Sequence, residues 1–178
     1  LYPPIAGQLQ LNDLDINEDN TQWFRDHFSA IFYDFHLFED VIDSEGCIGN
    51  EAIVNDYINS LMLQDKVSIS EGRISTTKLS QGQRKRLAML LAYVEDKPII
   101  LLDEWASDQD SEYKEIFYSQ ILPNLKRQGK CVIVISHDDR YFNYADTIYK
   151  LENGKIIQKV SNRGDDTVNL WADKVASV

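Results

Sequence analysis

Two short, unbroken apolar runs, Ile99-Ile100-Leu101-Leu102 and Cys131-Val132-Ile133-Val134-Ile135, restrict the folds open to this chain. Neither alternates polar with apolar residues, as a strand with one wet face would, so each reads as a strand buried on both faces. Both end abruptly in polar residues: Asp103-Glu104 after the first, Ser136-His137-Asp138 after the second. Between them a helical pattern runs from about Glu112 to Arg127, with Ile116, Phe117, Ile121, Leu122 and Leu125 on one face and Gly129 as its stop. A further helix, from the mid-80s to the mid-90s, precedes the first run. Strands and helices alternating in this way predict an α/β fold built on a parallel sheet. In such sheets ligands bind beyond the C-terminal ends of the strands, where both polar clusters fall.

The rest of the chain is organised around this core. Gln8-Leu9-Gln10-Leu11 alternates as a half-buried strand does, after a Pro-Pro and Gly7 turn. Asn20 or Thr21 is positioned to cap a short helix carrying Trp23, Phe24 and Phe28, and Ala30-Ile31-Phe32 reads as a short buried strand. From Glu39 to Lys78 the pattern changes to a small helical insertion, with Ile53, Val54, Tyr57, Ile58 and Leu61 on one face. After residue 137 short elements carry Tyr141-Phe142, and a strand pair, Thr147–Leu151 and Lys155–Val160, turns at Asn153-Gly154. Residues 161–178 form a polar tail.

The 178 residues carry a net charge of −11, which argues against nucleic acid as a partner, since that requires a basic footprint. Nucleotide binding stays open, because backbone N–H groups and Mg²⁺ can handle phosphates. Cys47 and Cys131 show no paired or metal-type spacing, and Cys131, opening an apolar run, reads as a buried small hydrophobe in a reducing compartment. No stretch has the ~20 apolar residues of a membrane-spanning helix. The chain opens Leu1-Tyr2-Pro3-Pro4, without an initiator Met, and reads as a fragment.

Three groups of residues carry chemistry. Asp103 and Glu104 stand at the end of a buried strand. One carboxylate, directly or through water, suffices to hold Mg²⁺, and Asp103 fits that role. Glu104, the next residue, is then the candidate general base that poises a water in line with a γ-phosphorus. By itself such a run also describes a strand ending in a solvated acidic turn. His137, at the second strand end, can donate a hydrogen bond to a γ-phosphate, although a capping histidine in a loop looks the same. Finally, Leu79-Ser80-Gln81-Gly82-Gln83 runs into the basic triplet Arg84-Lys85-Arg86 and an amphipathic helix. Such a turn presents backbone N–H groups and the positive end of a helix dipole, and a phosphate is its natural guest. An ordinary N-cap accounts for Ser80, but not for Gly82 and Gln83.

Together the three motifs resemble an ATP-binding-cassette (ABC) ATPase of the P-loop NTPase class, with a RecA-like parallel sheet core and a small helical subdomain. The resemblance covers the chain to about residue 160. It implies that Leu79–Gln83 is the signature motif, with Gln81 in place of the more usual Gly. It makes Ile99–Asp103 the Walker B strand, Glu104 the catalytic base and His137 the switch. Ser107-Asp108-Gln109-Asp110 takes the D-loop position, departing from the common Ser-Ala-Leu-Asp. Where most exporters have a Gln, this chain has Tyr33, with Asp34 the nearest polar group. The resemblance divides the chain into 1–38, the remainder of the N-terminal part; 39–78, the helical subdomain; 79–160, signature to C-terminal core; and 161–178, the tail. It places the start of the chain after the Walker A helix, so the 178 residues are expected to be inactive alone.

The cofactors so implied are ATP and Mg²⁺. Ser80, Gln81, Gly82, Gln83 and Asp110 contact nucleotide, Asp103 holds the metal, and Glu104 and His137 are catalytic. The partners are a second copy arranged head to tail and a fused or associated transmembrane domain at the cytoplasmic face of a bacterial inner membrane. Details of the motifs, Trp105 among them, are similar to the cyclic-peptide and siderophore exporter branch (syringomycin- and pyoverdine-exporter-like). The alternative is a soluble ABC ATPase acting on ribosomes or nucleic acid, since Ser136–Phe142 is also similar to translation-factor members. Those carry a different D-loop and twin cassettes. A degenerate, non-catalytic cassette is disfavoured by the intact Asp103, Glu104 and His137.

Overall fold

A computed structural model describes Pro4, residues 6–42 and residues 50–162, which gather into two compact units dividing after Ser136. Cys47, the first three residues and the tail beyond Asn162 lie outside the described residues.

In the first unit, β1 (Gln10–Leu11) and β2 (Leu14–Asp15) form a small antiparallel pair, so only half of the Gln8–Leu11 stretch becomes strand. Helix α1 (Thr21–Arg25) follows Asn20, but the Asn20 side chain serves the preceding loop, accepting from the Asn17 N–H and donating to the Asp15 carbonyl. β3 (Phe28–Ile31) then begins two residues earlier than the pattern predicts, taking in Phe28 and leaving Phe32 exposed.

The segment between β3 and the Leu79–Gln83 turn contains α2 (Glu51–Ser60), capped by the Asn50 side chain, which accepts from the Ala52 and Ile53 N–H groups. Val54, Ile58 and Leu61 are buried as expected, whereas Ile53 is exposed because it falls one position off the buried stripe. The insertion is not wholly helical. β4 (Ile69–Ser70) and β5 (Arg73–Ile74) form a hairpin whose turn residues, Glu71 and Gly72, both take positive φ (52° and 73°), the conformation that matches strand twist in a two-residue turn. Ring contact between Tyr57 and Tyr93, 4.7 Å apart, joins α2 to the next helix, α3 (Gln81–Glu95).

β6 (Ile99–Asp103) is the centre of a three-stranded parallel sheet. It lies between β3, with Phe28 opposite Ile99, and β7 (Cys131–Ile135), with Asp103 opposite Ile135. This is the predicted α/β parallel core. Its two apolar runs differ in environment. Ile100 and Leu102 are sealed, while Cys131, Ile133 and Ile135 are exposed. The expectation that Cys131 is buried is therefore corrected. β7 is an edge strand among the described residues, with a hydrogen-bonded neighbour on one side, and every second side chain faces outward.

The helix between these strands is continuous but not uniform. α4 (Ser111–Ile116) passes through a π turn at Phe117–Ile121 into α5 (Leu122–Arg127). Pro123 supplies the reason: it has no N–H to donate and its ring crowds the carbonyl four residues back, which a wider turn relieves. Gly129 (φ 81°) ends the helix, and Lys130 reaches back to the Asp96 carbonyl and carboxylate at 2.8 and 2.5 Å, fastening the turn before β6.

The second unit opens with His137 and a short 3₁₀ segment, Asp139–Tyr144. It continues into the antiparallel pair β8 (Thr147–Glu152) and β9 (Lys155–Ser161), turning at Asn153-Gly154 as the sequence predicts, both at positive φ. The Asn162 amide holds this unit's loop by donating to the Phe142 and Ala145 carbonyls.

Candidate functional site

Ser80 starts α3 with a capping box. Its hydroxyl oxygen accepts the Gln83 N–H at 3.3 Å, and the Gln83 side chain accepts the Ser80 N–H at 3.1 Å. Gln83 thus has a structural task that the sequence reading did not credit. Gly82 has one as well: a Cβ there would stand 2.7 Å from the Asp108 carbonyl oxygen, so glycine is demanded by the close approach of the chain at residue 108. Gln81 is exposed at the first helical position.

β6 delivers Asp103, half-buried, to the C-terminal edge of the sheet. Glu104 follows in the left-handed conformation (φ 49°, ψ 32°), uncommon for a residue with a Cβ, while its N–H donates to the Ile135 carbonyl at 3.0 Å. Trp105, fully buried, stacks on Phe117 with centroids 4.4 Å apart and donates its indole N–H to the Lys85 carbonyl at 2.8 Å.

The residues after Glu104 are locked to α3. The Lys85 side chain has no exposed surface, and its Nζ meets the Asp108 carboxylate at 2.6 Å, the Glu104 carbonyl at 2.6 Å and the Ser107 hydroxyl at 2.9 Å. The Tyr33 ring lies 5.2 Å from the same ammonium. Gln109, also buried, donates to the Gly82 carbonyl at 3.0 Å and accepts from the Arg86 Nε at 2.9 Å. Arg86 continues to the Asp110 carboxylate at 3.1 Å and lies over the Tyr113 ring. Asp110 in turn caps α4 by accepting the Tyr113 N–H at 2.8 Å. That N–H bond first, and then the Arg86 charge, hold the Asp110 carboxyl below the usual carboxylate range. Burial pushes the Tyr113 phenol up to about 12.

The structure therefore brings Ser80, Gln81, Gly82, Gln83, Glu104 and Asp110 into one connected frame, with Asp103 on the strand that leads into it. His137 belongs to the second unit, is exposed, and precedes Asp138, whose carboxylate takes both donors of the Arg140 fork at 2.8 and 2.7 Å. Among the described residues no cluster of three His, Cys, Asp or Glu groups forms a metal cage. A single Asp103 carboxylate fits Mg²⁺ that keeps waters and phosphate oxygens as its other ligands.

Lys85 is the residue that sequence reasoning passed over. The signal was present: Lys85, Ala88, Met89 and Ala92 recur at the spacing of one helical face, and all four are buried.

A profile of the family described as ABC transporter matches residues 1–107. Over 164 residues the chain is 48% identical to the ATP-binding protein SyrD of Pseudomonas syringae pv. syringae, a match covering 90% of this chain and 29% of that protein. The chain thus spans less than a third of that relative. Among solved structures, a bacterial Atm1-family ABC exporter with ATP bound superposes with a TM-score of 0.73 at 23% identity, over 90% of this chain and 30% of that one. An ATP-binding cassette captured as a dimer in a post-hydrolysis state, bound to ADP and Pi, gives 0.68 at 22% identity, over 91% of this chain and 76% of that one. Both share its fold.

Proposed function

This chain belongs to the ABC transporter family, and we propose that it supplies part of the ATP-hydrolysing motor of an exporter. The observation that carries the reading is the pair Asp103-Glu104, set by the central strand at the C-terminal edge of a parallel sheet, with Glu104 held in a left-handed turn.

In this reading Asp103 holds Mg²⁺, directly or through water; when bound, the ion neutralises charge on the transferring phosphoryl group. Glu104 takes the proton of the water that attacks the γ-phosphorus. The signature turn binds the γ-phosphate of ATP held by a second copy of the complete ATPase domain, arranged head to tail. Ser80 suits this because its oxygen accepts the Gln83 N–H and leaves its own O–H to donate. Gln81 and Gly82 lie ahead of any intrahelical acceptor, so their N–H groups point toward an anion in front of the helix. Asp110, whose side chain is 65% exposed, lines the same interface at the end of the D-loop. His137 donates to the γ-phosphate, an assignment resting on its place in the sequence, two residues after the end of β7.

The likeness to SyrD and to an exporter's fold favours this reading over a soluble ATPase acting on ribosomes or nucleic acid. The dimeric cassette of the same fold supports the second copy as partner. No helix among the described residues is long and apolar enough to cross a membrane. The likeness to exporters supports a fused or associated transmembrane domain as the other partner, and the cytoplasmic face of a bacterial inner membrane as the place of work. The cargo is a cyclic peptide or siderophore, the class to which the Trp105 and Ser107–Asp110 pattern points.

The test is Glu104→Gln in the complete gene product. ATP should still bind and turnover should be lost; retained turnover removes Glu104 as the base. Stimulation of wild-type ATPase by cyclic peptides, compared with lipids, separates the cargo reading from the motor reading.

A further inference from the structure

We infer that Lys85 is a positioning residue for hydrolysis, the buried cation that fixes the backbone of Glu104 and ties it to the signature helix. The inference rests on the reading of Glu104 as general base. An ammonium has three donors, and here all three are used: on the Glu104 carbonyl at 2.6 Å, the Ser107 hydroxyl at 2.9 Å and the Asp108 carboxylate at 2.6 Å. The side chain is fully buried, and Asp108 sets an opposite charge against its ammonium. The carbonyl it grips belongs to Glu104, whose left-handed conformation needs surrounding contacts to persist in a residue with a Cβ.

Two more contacts reinforce the latch. The Ser107 hydroxyl also donates to the Glu104 carbonyl at 2.6 Å, and the Trp105 indole binds the Lys85 carbonyl at 2.8 Å. Alongside it, Gln109 is bonded to the Gly82 carbonyl, so the segment that starts at Glu104 cannot shift without pulling on the signature turn. Asp108 and Gln109 are also the positions at which the Ser107–Asp110 loop departs from the common family sequence. Their partners, Lys85, Gly82 and Arg86, all lie in the first turns of α3. The geometry thus makes the signature turn and the general base one rigid piece.

The experiment measures ATPase kinetics and thermal melting of the complete gene product carrying Lys85→Met, Ser107→Ala, or Lys85→Met with Asp108→Asn. Lys85→Met should lower kcat at least tenfold with KM for ATP within twofold, together with a lower Tm. Ser107 is exposed, and Ser107→Ala should fold normally, yet lower kcat several-fold at unchanged KM. Removing the charge from both partners should restore much of the Tm, because no unpaired charge remains buried, while kcat stays low because the Glu104 carbonyl has lost its anchor. A paired variant that recovers turnover along with Tm makes Lys85 merely structural and overturns the inference. So does a Ser107→Ala protein with wild-type kcat, which decides the matter even if both Lys85 variants fail to fold. Glu104→Gln is run in parallel: if it retains turnover, the general-base reading has failed, whereas its loss beside active Lys85 and Ser107 variants removes the latch alone.

Discussion

The guanidinium of Arg86 lies 3.4 Å from the centroid of the Tyr113 ring and, from that stack, reaches Gln109 and Asp110 with its donors. One side chain from α3 thus holds the last two residues of the loop that follows Glu104. Its side chain is only 13% exposed, so these contacts are made largely out of water. Arg86→Ala is expected to lower stability by ~1–3 kcal/mol. Arg86→Lys should recover less than half of that, because an ammonium lacks the planar fork that stacks and bonds at once. Denaturation midpoints of the three proteins check this.

Gly82 is held to glycine by the Asp108 carbonyl, 2.7 Å from where a Cβ would stand. The obstructing atom is backbone and cannot rotate away. Gly82→Ala should therefore displace the turn at a cost of ~1–3 kcal/mol and reduce ATP turnover, even though alanine is the better helix former. A variant as stable as wild type would show that the turn gives way freely.

Asp110 makes stability depend on acid. Its folded-state pKa is depressed, first by the Tyr113 N–H and then by Arg86, so its contribution is fully present above the ordinary value of 3.8 and is lost as pH falls through the folded value. Asparagine keeps the helix cap but not the charge. Wild type should therefore exceed Asp110→Asn in Tm at neutral pH, and the gap should close in strong acid. Melting curves across that range test the sign, and a gap that widens in acid would refute it.

Trp105 fills the space between α3 and the helix of residues 111–127, stacked on Phe117 and bonded to the Lys85 carbonyl. Trp105→Ala should cost ~3–5 kcal/mol, and Trp105→Phe less, since it retains the stack and leaves one carbonyl without its donor. Thermal melts separate the two.

Much of the local architecture is written in the sequence. The apolar runs at Ile99–Leu102 and Cys131–Ile135 require strands and the Asn153-Gly154 pair requires a hairpin, because each depends on neighbours within a few residues. Ser80 with Gln83 three positions on also has capping-box spacing, a local signal that the phosphate-binding reading of the motif obscured. The three motifs likewise declare the family. What remained illegible depends on which segments meet. Within the two apolar strands, Ile100, Leu102, Val132 and Val134 share the better covered face of the sheet and Cys131, Ile133 and Ile135 lie on the other, and β7 has a strand neighbour on one side only among the described residues. A lysine in a basic triplet is buried because Asp108, far along the chain, comes back to meet its charge. The left-handed turn of Glu104 has no sequence signature of its own. It persists because Lys85, Ser107 and Ile135 hold its carbonyl and N–H from three separate places, and only the folded chain brings those places together.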